Sequence, residues 1–473
     1  MKRSKKLLLI PCAAAALSIG AAMMSFAATG WAEENGQWVY YNSNGERATD
    51  VFKKSGNLWF YLDSDGYMAT STLVEVDDNY YYVNSQGAMV SNQWREVENE
   101  ESGEDEPDTW WYYLQANGKA VKKSGSSDSV RTVTLPTASG DAKFIFDEEG
   151  RMLSGWIDEN GEMLTDDDAW KNGVYYCGLE DGGRMATGWK YLTAENDEDD
   201  DREGDGYWFY FKPNGKKTTD TDSKKINGRK YRFDENGVAE FDWYAKPAVG
   251  SDSSANMYYN TEEQCWLSTG WFKTVPSADV DPEAHEDDEP YWFYADSNGE
   301  LVTGEIKTIK GQKYGFDPMG KMLHGLYKLT FDEDGRTILE AEEIESEDEL
   351  PEADENVAVY YFGDSPKEGA MKTGTCTLDI DGEKHYFKFR TSGSDKGAGV
   401  NKIDDDSIFV HGRRLEAEAG SKYEPIEYNG ETYLVSTSGK IMKNKKNVKD
   451  SDDTYYCTDK NGIITYEGSE KKD

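Results

Sequence analysis

An aromatic triplet followed by a glycine recurs along the chain at constant spacing. In the six fullest copies the first residue of the triplet lies seven residues before the glycine: Trp38 and Gly45, Trp59 and Gly66, Tyr80 and Gly87, Trp111 and Gly118, Trp208 and Gly215, and Trp292 and Gly299. Self-similarity at a short, fixed period is typical of repeat architectures. The chain is therefore predicted to be a repeat protein rather than a set of catalytic domains.

Most of these glycines belong to Asn-Gly or Asp-Gly pairs, the strongest short-range signal for a β-hairpin turn. Hairpin turns are predicted at Asn44-Gly45, Asp65-Gly66, Asn117-Gly118, Asn214-Gly215, Asn236-Gly237, Asn298-Gly299 and Asn461-Gly462. A single hairpin is marginally stable in water, so consecutive hairpins must stack. The predicted fold is all-β, an extended solenoid of stacked, aromatic-rich β-hairpins.

A second hairpin type, with the pattern K-[FY]-x-F-D-x-x-G, alternates with the first at Lys143, Lys230 and Lys313. We number strand positions from the residue seven before the glycine. Side chains alternate across a strand, so positions one and three share one face and positions two and four share the other. Positions two and four are mostly apolar in both types and are predicted to form the core. Positions one and three are aromatic only in the first type, which favours a ligand-binding role there.

Composition limits the functional classes. The formal net charge of -40 excludes binding of nucleic acid through the overall field of the protein. The hydrophobic fraction is only 37%, yet 31 Tyr, 17 Phe and 14 Trp argue against disorder. Beyond Cys12, the four cysteines are too scattered for a disulfide framework, and we expect most to be free, with one pair possible.

The amino end carries Lys2, Arg3, Lys5 and Lys6 before an apolar run. Residues 1–27 are predicted to be a secretory signal peptide, with an uncleaved membrane anchor as the alternative. No membrane contact is expected after cleavage. We predict a repeat array over 28–340 with acidic loop insertions, and a divergent continuation of the hairpins over 341–473.

Acidic insertions occur at 96–108, 195–205, 279–289 and 340–355. Solvated loops are the favoured interpretation, and calcium at Asp197, Asp199 and Asp201 is a weak alternative because Arg202 stands where a calcium loop needs glycine. The four histidines show no metal-binding spacing and no catalytic constellation is evident. The sequence predicts no enzyme, no metal and no cofactor.

The motifs resemble the cell-wall-binding or choline-binding repeat family of Gram-positive surface proteins. Its repeats have a Gly-Trp pair, whose Trp we call the leading Trp, then the aromatic triplet and a Met-x-Thr-Gly segment. Gly30-Trp31, Gly188-Trp189 and Gly270-Trp271 carry the fuller matches. The resemblance implies a superhelix of about three hairpins per turn, with choline held in aromatic cages between consecutive hairpins.

Transferred residue by residue, the implied cages form four groups. They are Trp31, Trp38 and Tyr40 with Trp59 and Tyr61; Tyr80 and Tyr82 with Trp94, Trp111 and Tyr113; Trp189, Trp208 and Tyr210; and Trp271, Trp292 and Tyr294. Val51 and Thr72 stand where two leading Trp residues are expected. The Lys-type hairpins beside the later cages offer no aromatic residue at positions one and three.

The resemblance implies a secreted, non-catalytic protein held noncovalently at the cell wall through choline on teichoic acid or a similar wall polymer. A glucan or other saccharide stacked on the same rings is the first alternative. The second is an adhesive or structural scaffold whose acidic loops contact another protein, which the sequence does not identify.

Overall fold

The structure, a computed structural model, confirms the predicted all-β hairpin class. It describes residues 29–100, 107–123, 130–178, 182–193, 206–246, 255–333, 335–353, 356–363 and 369–473. The predicted signal peptide at 1–27 and the calcium candidate at Asp197, Asp199 and Asp201 lie outside these residues. In the part of the chain that the structure describes, no helix is long and apolar enough to cross a membrane.

The chain divides into two compact units. Unit 1 comprises Met1–Thr219 with Asn236–Val238, and unit 2 comprises Asp220–Glu235 with Ala239–Asp473. Paired strands continue on both sides of residue 340, where the sequence predicts the regular array to end. That boundary remains a prediction.

Unit 1 contains sixteen described strands and one short helix. The strands are β1 (Gly30–Glu34), β2 (Gln37–Tyr41), β3 (Val51–Ser55), β4 (Leu58–Leu62), β5 (Thr72–Val76), β6 (Asn79–Val83), β7 (Gln93–Glu98), β8 (Thr109–Leu114), β9 (Thr132–Thr137), β10 (Gly140–Ile145), β11 (Gly155–Ile157), β12 (Met163–Leu164), β13 (Tyr175–Gly178), β14 (Arg184–Met185), β15 (Gly188–Thr193) and β16 (Gly206–Phe211). Helix α1 (Ala169–Asn172) lies between β12 and β13.

Unit 2 contains the remaining described strands. They are β17 (Thr221–Ile226), β18 (Arg229–Phe233), β19 (Trp243–Lys246), β20 (Ala255–Tyr258), β21 (Gly270–Thr274), β22 (Tyr291–Ala295), β23 (Ile306–Ile309), β24 (Gln312–Gly315), β25 (Leu326–Phe331), β26 (Ile338–Glu343), β27 (Ala358–Tyr361), β28 (Gly374–Ile380), β29 (Glu383–Phe389), β30 (Lys402–Asp404), β31 (Ser407–Val410), β32 (Arg413–Arg414), β33 (Tyr423–Tyr428), β34 (Glu431–Ser436), β35 (Val448–Lys449), β36 (Tyr455–Thr458) and β37 (Ile464–Gly468). Helix α2 (Pro282–Glu286) and a 3-10 turn (Glu347–Glu349) complete this unit.

Most hairpin turns lie before the aromatic strands, not after them as predicted. Strands β1 and β2 pair antiparallel across Asn35 and Gly36, whose φ angles of 55° and 83° fit the two positive positions of a tight hairpin turn. Asn227 and Gly228 do the same between β17 and β18. Each aromatic triplet therefore pairs with the strand of its leading residue. The predicted hairpin turn at Asn461-Gly462 is confirmed, because β36 and β37 pair across it, whereas the other predicted turns follow the aromatic strand of a hairpin and do not close it.

The glycine after each triplet belongs to a second, longer turn. The Gly45 amide donates to the Asn42 carbonyl at 2.9 Å, and only one bridge follows, between Tyr41 and Arg47. Equivalent single bridges join Leu62 to Met68, Val83 to Met89, Phe211 to Lys217 and Phe316 to Met322. The residue two after the glycine, which we call the +2 residue, is thereby fixed beside position four.

The +2 residue also links consecutive hairpins. The amide of Met68 donates to the carbonyl of Trp38 in the preceding hairpin at 2.8 Å, and Met322 donates to Trp292 in the same way at 2.8 Å. A Cβ added at Gly87 would lie 2.8 Å from the side chain of Met68, the preceding +2 residue. The glycine is therefore required by its positive φ and by this close approach.

Positions two and four form the core, as predicted. Phe209, Phe211, Phe293 and Phe316 are fully buried. The opposite face, positions one and three, packs against positions two and four of the next hairpin, so both faces contribute to stacking. In the aromatic hairpins, a ring at position one or three therefore fills space between two hairpins as well as being a candidate ligand contact.

The acidic insertion at 195–205 lies outside the described residues. The insertion at 96–108 begins within β7 and ends just before β8, and the insertion at 279–289 lies between β21 and β22. The last of these contains α2, whose Asp281 side chain accepts a hydrogen bond from the Ala284 amide and pairs with Lys321 at 2.6 Å. The lysine bond, together with the capping bonds, lowers the pKa of Asp281. The four described cysteines, Cys177, Cys265, Cys376 and Cys457, form no disulfide.

Candidate functional site

The aromatic interface around Trp271 shows how two hairpins meet. Register places Trp271 opposite Tyr294 of its own hairpin, and the ring centroids are 5.1 Å apart at 72°. On its other side Trp271 contacts Tyr314 at 4.9 Å and Phe316 at 5.7 Å, both from the next hairpin. We call this set, together with Trp292 and Met322, the Trp271 interface.

Trp292 adds a second indole wall at a right angle to the first. Its ring centroid lies 6.4 Å from that of Trp271, with 84° between the planes. Trp271, Trp292, Tyr294 and Tyr314 are half-buried and pack on a core that includes Phe316 and Met322. Half-buried rings on several sides offer π faces to a cation while keeping an opening for it.

The interface around Trp94 repeats this geometry in unit 1. Trp94 lies 5.2 Å from Tyr113, 4.8 Å from Phe144 and 5.9 Å from Phe146. Trp111 occupies position one, and its carbonyl accepts the Met152 amide at 2.8 Å. The predicted group is therefore brought together in part: Trp94, Trp111 and Tyr113 meet.

The first interface is similar but carries a cation of its own. Trp31 contacts Tyr40 at 5.4 Å and Phe60 of the next hairpin at 5.4 Å. The Lys53 ammonium lies 5.0 Å from the centre of the Tyr40 ring and donates to Asn42 at 2.9 Å. Trp38 and Tyr40 are both half-buried.

Trp189 contacts both other members of its predicted group. Its ring centroid lies 5.3 Å from that of Tyr210 and 6.3 Å from that of Trp208. Tyr191, which is exposed, reaches Trp208 at 5.3 Å. The structure thus assembles this group within a single hairpin.

Four predicted residues do not join the cages to which they were assigned. Trp59 is 41% exposed with Lys54 over its ring at 5.8 Å, whereas Tyr61 is buried in the core with Val74 and Val83. Tyr80 and Tyr82 pack on the core containing Trp110, Tyr112 and Leu114, and carry Lys122 and Arg95 over their rings. They face Trp110, Tyr112 and Leu114 of the next hairpin, whereas Trp94 of that same hairpin packs against Phe144 of the hairpin after it.

Strand register corrects two sequence assignments. The leading Trp of a hairpin lies opposite position three. Phe52 lies opposite Tyr61 and Leu73 lies opposite Tyr82, so Phe52 and Leu73, and not Val51 and Thr72, stand in the place of the leading Trp. The Lys-type hairpins also contribute aromatic walls, because position two rather than one or three faces the preceding leading Trp. Tyr314 is such a wall, and its hydroxyl donates to Gln312 at 2.9 Å.

Two leading Trp residues were missed. Trp156 pairs with Tyr176 and contacts Phe209 at 5.2 Å, while Trp243 pairs with Tyr258 and contacts Phe293 at 5.2 Å. The Gly155-Trp156 dipeptide was the available signal for the first. Asp242 takes the positive φ, 62°, that glycine supplies elsewhere, which hid the second.

The self-supplied cations divide the interfaces into two groups. Among the described residues, no lysine or arginine lies over the rings of Trp94, Trp111, Trp271, Trp292 or Tyr314. Lysines and arginines cover Tyr40, Trp59, Tyr80 and Tyr82. The Trp94 and Trp271 interfaces are therefore the best candidates for a ligand from solution.

Away from the aromatic interfaces, the described residues bring Glu347, Glu383 and His385 together with ligand atoms within 4.8 Å of one another. His385 Nε2 lies 2.6 Å from the Glu347 carboxylate, which is an ion pair when the histidine is protonated. This pair is sufficient to account for the arrangement.

Comparison with protein families identifies the repeats. The choline-binding repeat matches residues 52–94, and the putative cell wall binding repeat matches residues 202–217 and 224–239. The chain carries choline-binding repeats. These matches overlap the Trp59, Tyr80 and Trp208 triplets from which the choline-binding repeats were expected.

Curated relatives match about half of this chain and a small part of their own length. Glucosyltransferase-I of Streptococcus downei is 25% identical over 225 residues, which is 47% of this chain and 13% of the relative. Glucosyltransferase-S of Streptococcus mutans serotype c is 26% identical over 227 residues, 48% of this chain and 12% of the relative. The chain thus spans about an eighth of the length of the curated relatives it matches.

Solved structures with choline-binding repeats are also similar. The choline-binding domain of CbpL from Streptococcus pneumoniae is 20% identical, with 51% of this chain and 99% of that chain covered and a TM-score of 0.31. Choline binding protein F from the same organism is 18% identical, with 77% and 98% covered and a TM-score of 0.26.

Proposed function

We propose that the chain is a binding protein that holds the quaternary ammonium of choline, carried on cell-wall teichoic acid, in its aromatic interfaces. The observation that carries the proposal is the Trp271 interface, where two indoles meet at 84° beside Tyr314 and no described lysine or arginine covers them. A trimethylammonium group is attracted by the ring faces while its methyl groups gain apolar contact.

Each residue has a distinct part in this interface. Trp271 and Trp292 supply the two faces, Tyr314 from the next hairpin closes a third side, and Met322 forms the apolar floor. The formal charge of -40 raises the local concentration of any cation. The same roles are proposed for Trp94, Trp111 and Phe144 with Met152.

The proposed biological setting is a secreted protein, directed by a signal peptide at 1–27 and attached noncovalently to the cell wall. We propose that the array over 28–340 acts as a non-catalytic binding module and that the hairpins over 341–473 continue it. Two observations support this: the family matches within this chain are to binding repeats, and the matched glucosyltransferase is covered over only 13% of its length.

Titration of the full chain with choline and its uncharged isostere 3,3-dimethylbutan-1-ol tests the proposal. Intrinsic tryptophan fluorescence should report saturable choline binding, with the isostere weaker by about 2- to 30-fold, the range that a cation–π contribution of about 0.5–2 kcal/mol produces. Equal affinity for the two compounds, or no saturable response to choline, would refute the proposed site.

Trp292→Ala should remove one site, because the variant loses a wall while the Trp292 carbonyl that accepts the Met322 amide remains. Trp59→Ala is the matched control, since Trp59 is exposed and lies outside the interface. The number of bound choline molecules, counted by equilibrium dialysis, should fall by one in the first variant and stay unchanged in the second.

A second candidate ligand is a saccharide, favoured by two exposed rings. Trp59 is 41% and Tyr191 43% exposed, and flat exposed rings suit stacking against sugars. The matched relatives are named glucosyltransferases. Isomalto-oligosaccharides should then bind the wild-type chain and bind a Trp59→Ala, Tyr191→Ala variant more weakly, with choline binding unchanged. Loss of choline binding alongside would assign both ligands to one site.

A further inference from the structure

The interface around Trp156 in unit 1 matches the Trp271 interface in ring geometry. Trp156 lies 5.0 Å from Tyr176 of its own hairpin, and 5.2 Å from Phe209 and 5.9 Å from Phe211 of the next. The +2 residue of that next hairpin is Lys217, whose amide donates to the Val174 carbonyl at 2.7 Å. We call these residues, with Val174, the Trp156 interface.

Backbone hydrogen bonds fix the equivalence of the two interfaces. Met322 donates to Trp292 and Lys217 donates to Val174, so Lys217 stands where the Trp271 interface has Met322. Both side chains are buried, with Lys217 only 5% exposed. A lysine buried to this extent requires compensation, because an unpaired ammonium is costly to remove from water.

The compensation is an aromatic and carbonyl cage. The Lys217 ammonium lies 5.1 Å from the centre of the Trp156 ring and 5.6 Å from that of Phe209. It donates to the carbonyl oxygens of Trp170 at 2.6 Å and Lys171 at 3.1 Å. A cation here therefore has ring faces on two sides and carbonyl acceptors on another.

Helix α1 supplies these carbonyls and also covers the pocket. Residues Ala169–Asn172 form a single turn, and Trp170 stacks on Tyr207 of the next hairpin at 4.9 Å and 21°. Trp156 is 8% and Phe209 0% exposed, so little ring surface remains for a molecule from solution. The pocket is already filled by the ammonium of the chain itself.

We propose that Lys217 is a built-in cation that occupies a latent quaternary-ammonium site, so that the Trp156 interface takes no ligand from solution until this side chain is removed. The inference rests on the proposed function for its ligand class and adds a specificity rule to it. Between these two interfaces, the methionine at the +2 position leaves the Trp271 interface open, and the lysine at the same position fills the Trp156 interface.

Lys217→Met tests the rule by introducing the residue of the Trp271 interface. Tetramethylammonium is the probe, and equilibrium dialysis counts bound molecules on the full chain. The variant should bind one more molecule than the wild-type protein. Lys216→Met, a change of the same kind at the adjacent exposed lysine, should bind no more than wild type.

The proposed function is judged on the wild-type count and this inference on the difference between variant and wild type. Wild-type binding with no gain in Lys217→Met overturns the inference and leaves the function intact. A gain in the variant without wild-type binding supports the inference and refutes the function. If neither protein binds the probe, both are overturned.

A second measurement needs no variant. Limited acetylation of the folded wild-type protein, read by peptide mass spectrometry, should modify Lys216 at least ten times faster than Lys217, since the ammonium of Lys217 is enclosed. Equal rates for the two lysines would show that the Lys217 side chain leaves the pocket freely, and this would overturn the inference. Protection of Lys217 supports it even where Lys217→Met does not fold.

Discussion

The Trp156 and Trp271 interfaces are built on the same frame and differ at three side chains, one of which is position two, Phe209 in the first and Tyr314 in the second. In both, the leading Trp lies about 5 Å from position three of its own hairpin and about 5 Å from position two of the next. Position one is Val174 in the first and Trp292 in the second, and the +2 residue is Lys217 or Met322. The rings that stack hairpins are therefore shared, and the residues that open or fill the pocket are not.

The short helices in the loops of the two hairpins also differ in what they contact: α1 contacts the cation of the Trp156 interface, and α2 contacts Lys321. In helix α1, the Trp170 ring stacks on Tyr207, and the carbonyls of Trp170 and Lys171 accept hydrogen bonds from the Lys217 ammonium. Helix α2 is held at its amino end, where Asp281 pairs with Lys321, and the Lys321 ammonium lies over Tyr291 at 4.7 Å. One loop thus serves an internal cation, and the other leaves the Trp271 and Trp292 rings half-buried.

The largest expected effect comes from removing each leading Trp. Trp156→Ala and Trp271→Ala each lose three or more ring contacts and leave a cavity, which should cost about 3–5 kcal/mol. Thermal unfolding followed by circular dichroism should show a Tm lower by about 6–20 °C for the affected transition. Trp156→Ala should be the more severe, since it also removes a ring face from the Lys217 ammonium.

Trp59→Ala serves as the control for both variants. Its ring is 41% exposed, so its removal should change the free energy of unfolding by less than about 1 kcal/mol. A Trp156→Ala variant as stable as Trp59→Ala would contradict the view that the leading Trp is a packing residue first.

A single substitution at the +2 residue should give the Trp271 interface the built-in cation of the Trp156 interface. Met322→Lys should place an ammonium in the Trp271 interface, block one choline or tetramethylammonium site, and lower the free energy of unfolding by about 1–3 kcal/mol, because a side chain that is 6% exposed would become charged. Equilibrium dialysis and urea unfolding measure the two effects. Met322→Leu, of similar volume, should keep stability within about 1.5 kcal/mol.

Full ligand occupancy in a folded Met322→Lys protein would show that the +2 residue does not control the pocket. The residue that leaves the pocket open to a ligand would then be position one, Trp292 against Val174, or position two, Tyr314 against Phe209.

The hairpin architecture could be predicted from the sequence because it depends on short-range patterns. The alternation of apolar residues at positions two and four places Phe209 and Phe293 in the core without further information. The hairpin turn could not be assigned from the Asn-Gly signal alone, since both Asn35-Gly36 and Asn44-Gly45 carry it. Only strand pairing shows that the first closes the hairpin.

The site was predicted in part, because a cage depends on contacts between hairpins. The pairs Trp271 with Tyr294 and Trp94 with Tyr113 follow from register within one hairpin. Tyr314 occupies position two, which the sequence predicts to be core. In the structure, its ring is half-buried and contacts Trp271, the leading Trp of the preceding hairpin. Lys217 had no signal, since its burial depends on the carbonyls of Trp170 and Lys171, which lie 47 and 46 residues earlier in the chain.

A smaller effect should separate the turns that carry the two +2 residues. Gly215 and Gly320 both have positive φ, 86° and 92°, so alanine should cost each about 1–2 kcal/mol. A Cβ at Gly215 would also clash with the Met185 side chain, whereas at Gly320 the nearest atom is Thr303 Cγ2 at 3.3 Å. Gly215→Ala should therefore lose about 1–3 kcal/mol more in urea unfolding. Equal losses would mean that Met185 moves aside without cost.

The smallest effect should come from the ring that closes each pocket. Tyr314 is half-buried and its hydroxyl reaches the exposed Gln312, so Tyr314→Phe should change stability by less than about 0.5 kcal/mol and leave choline binding unaltered. Phe209 is fully buried at the equivalent position, and Phe209→Tyr should cost about 1–3 kcal/mol because the hydroxyl leaves water. Urea unfolding of the two variants measures the difference. If Phe209→Tyr were as mild as Tyr314→Phe, the new hydroxyl would have found a partner or water in the pocket, and the Trp156 interface would be less closed than its rings indicate.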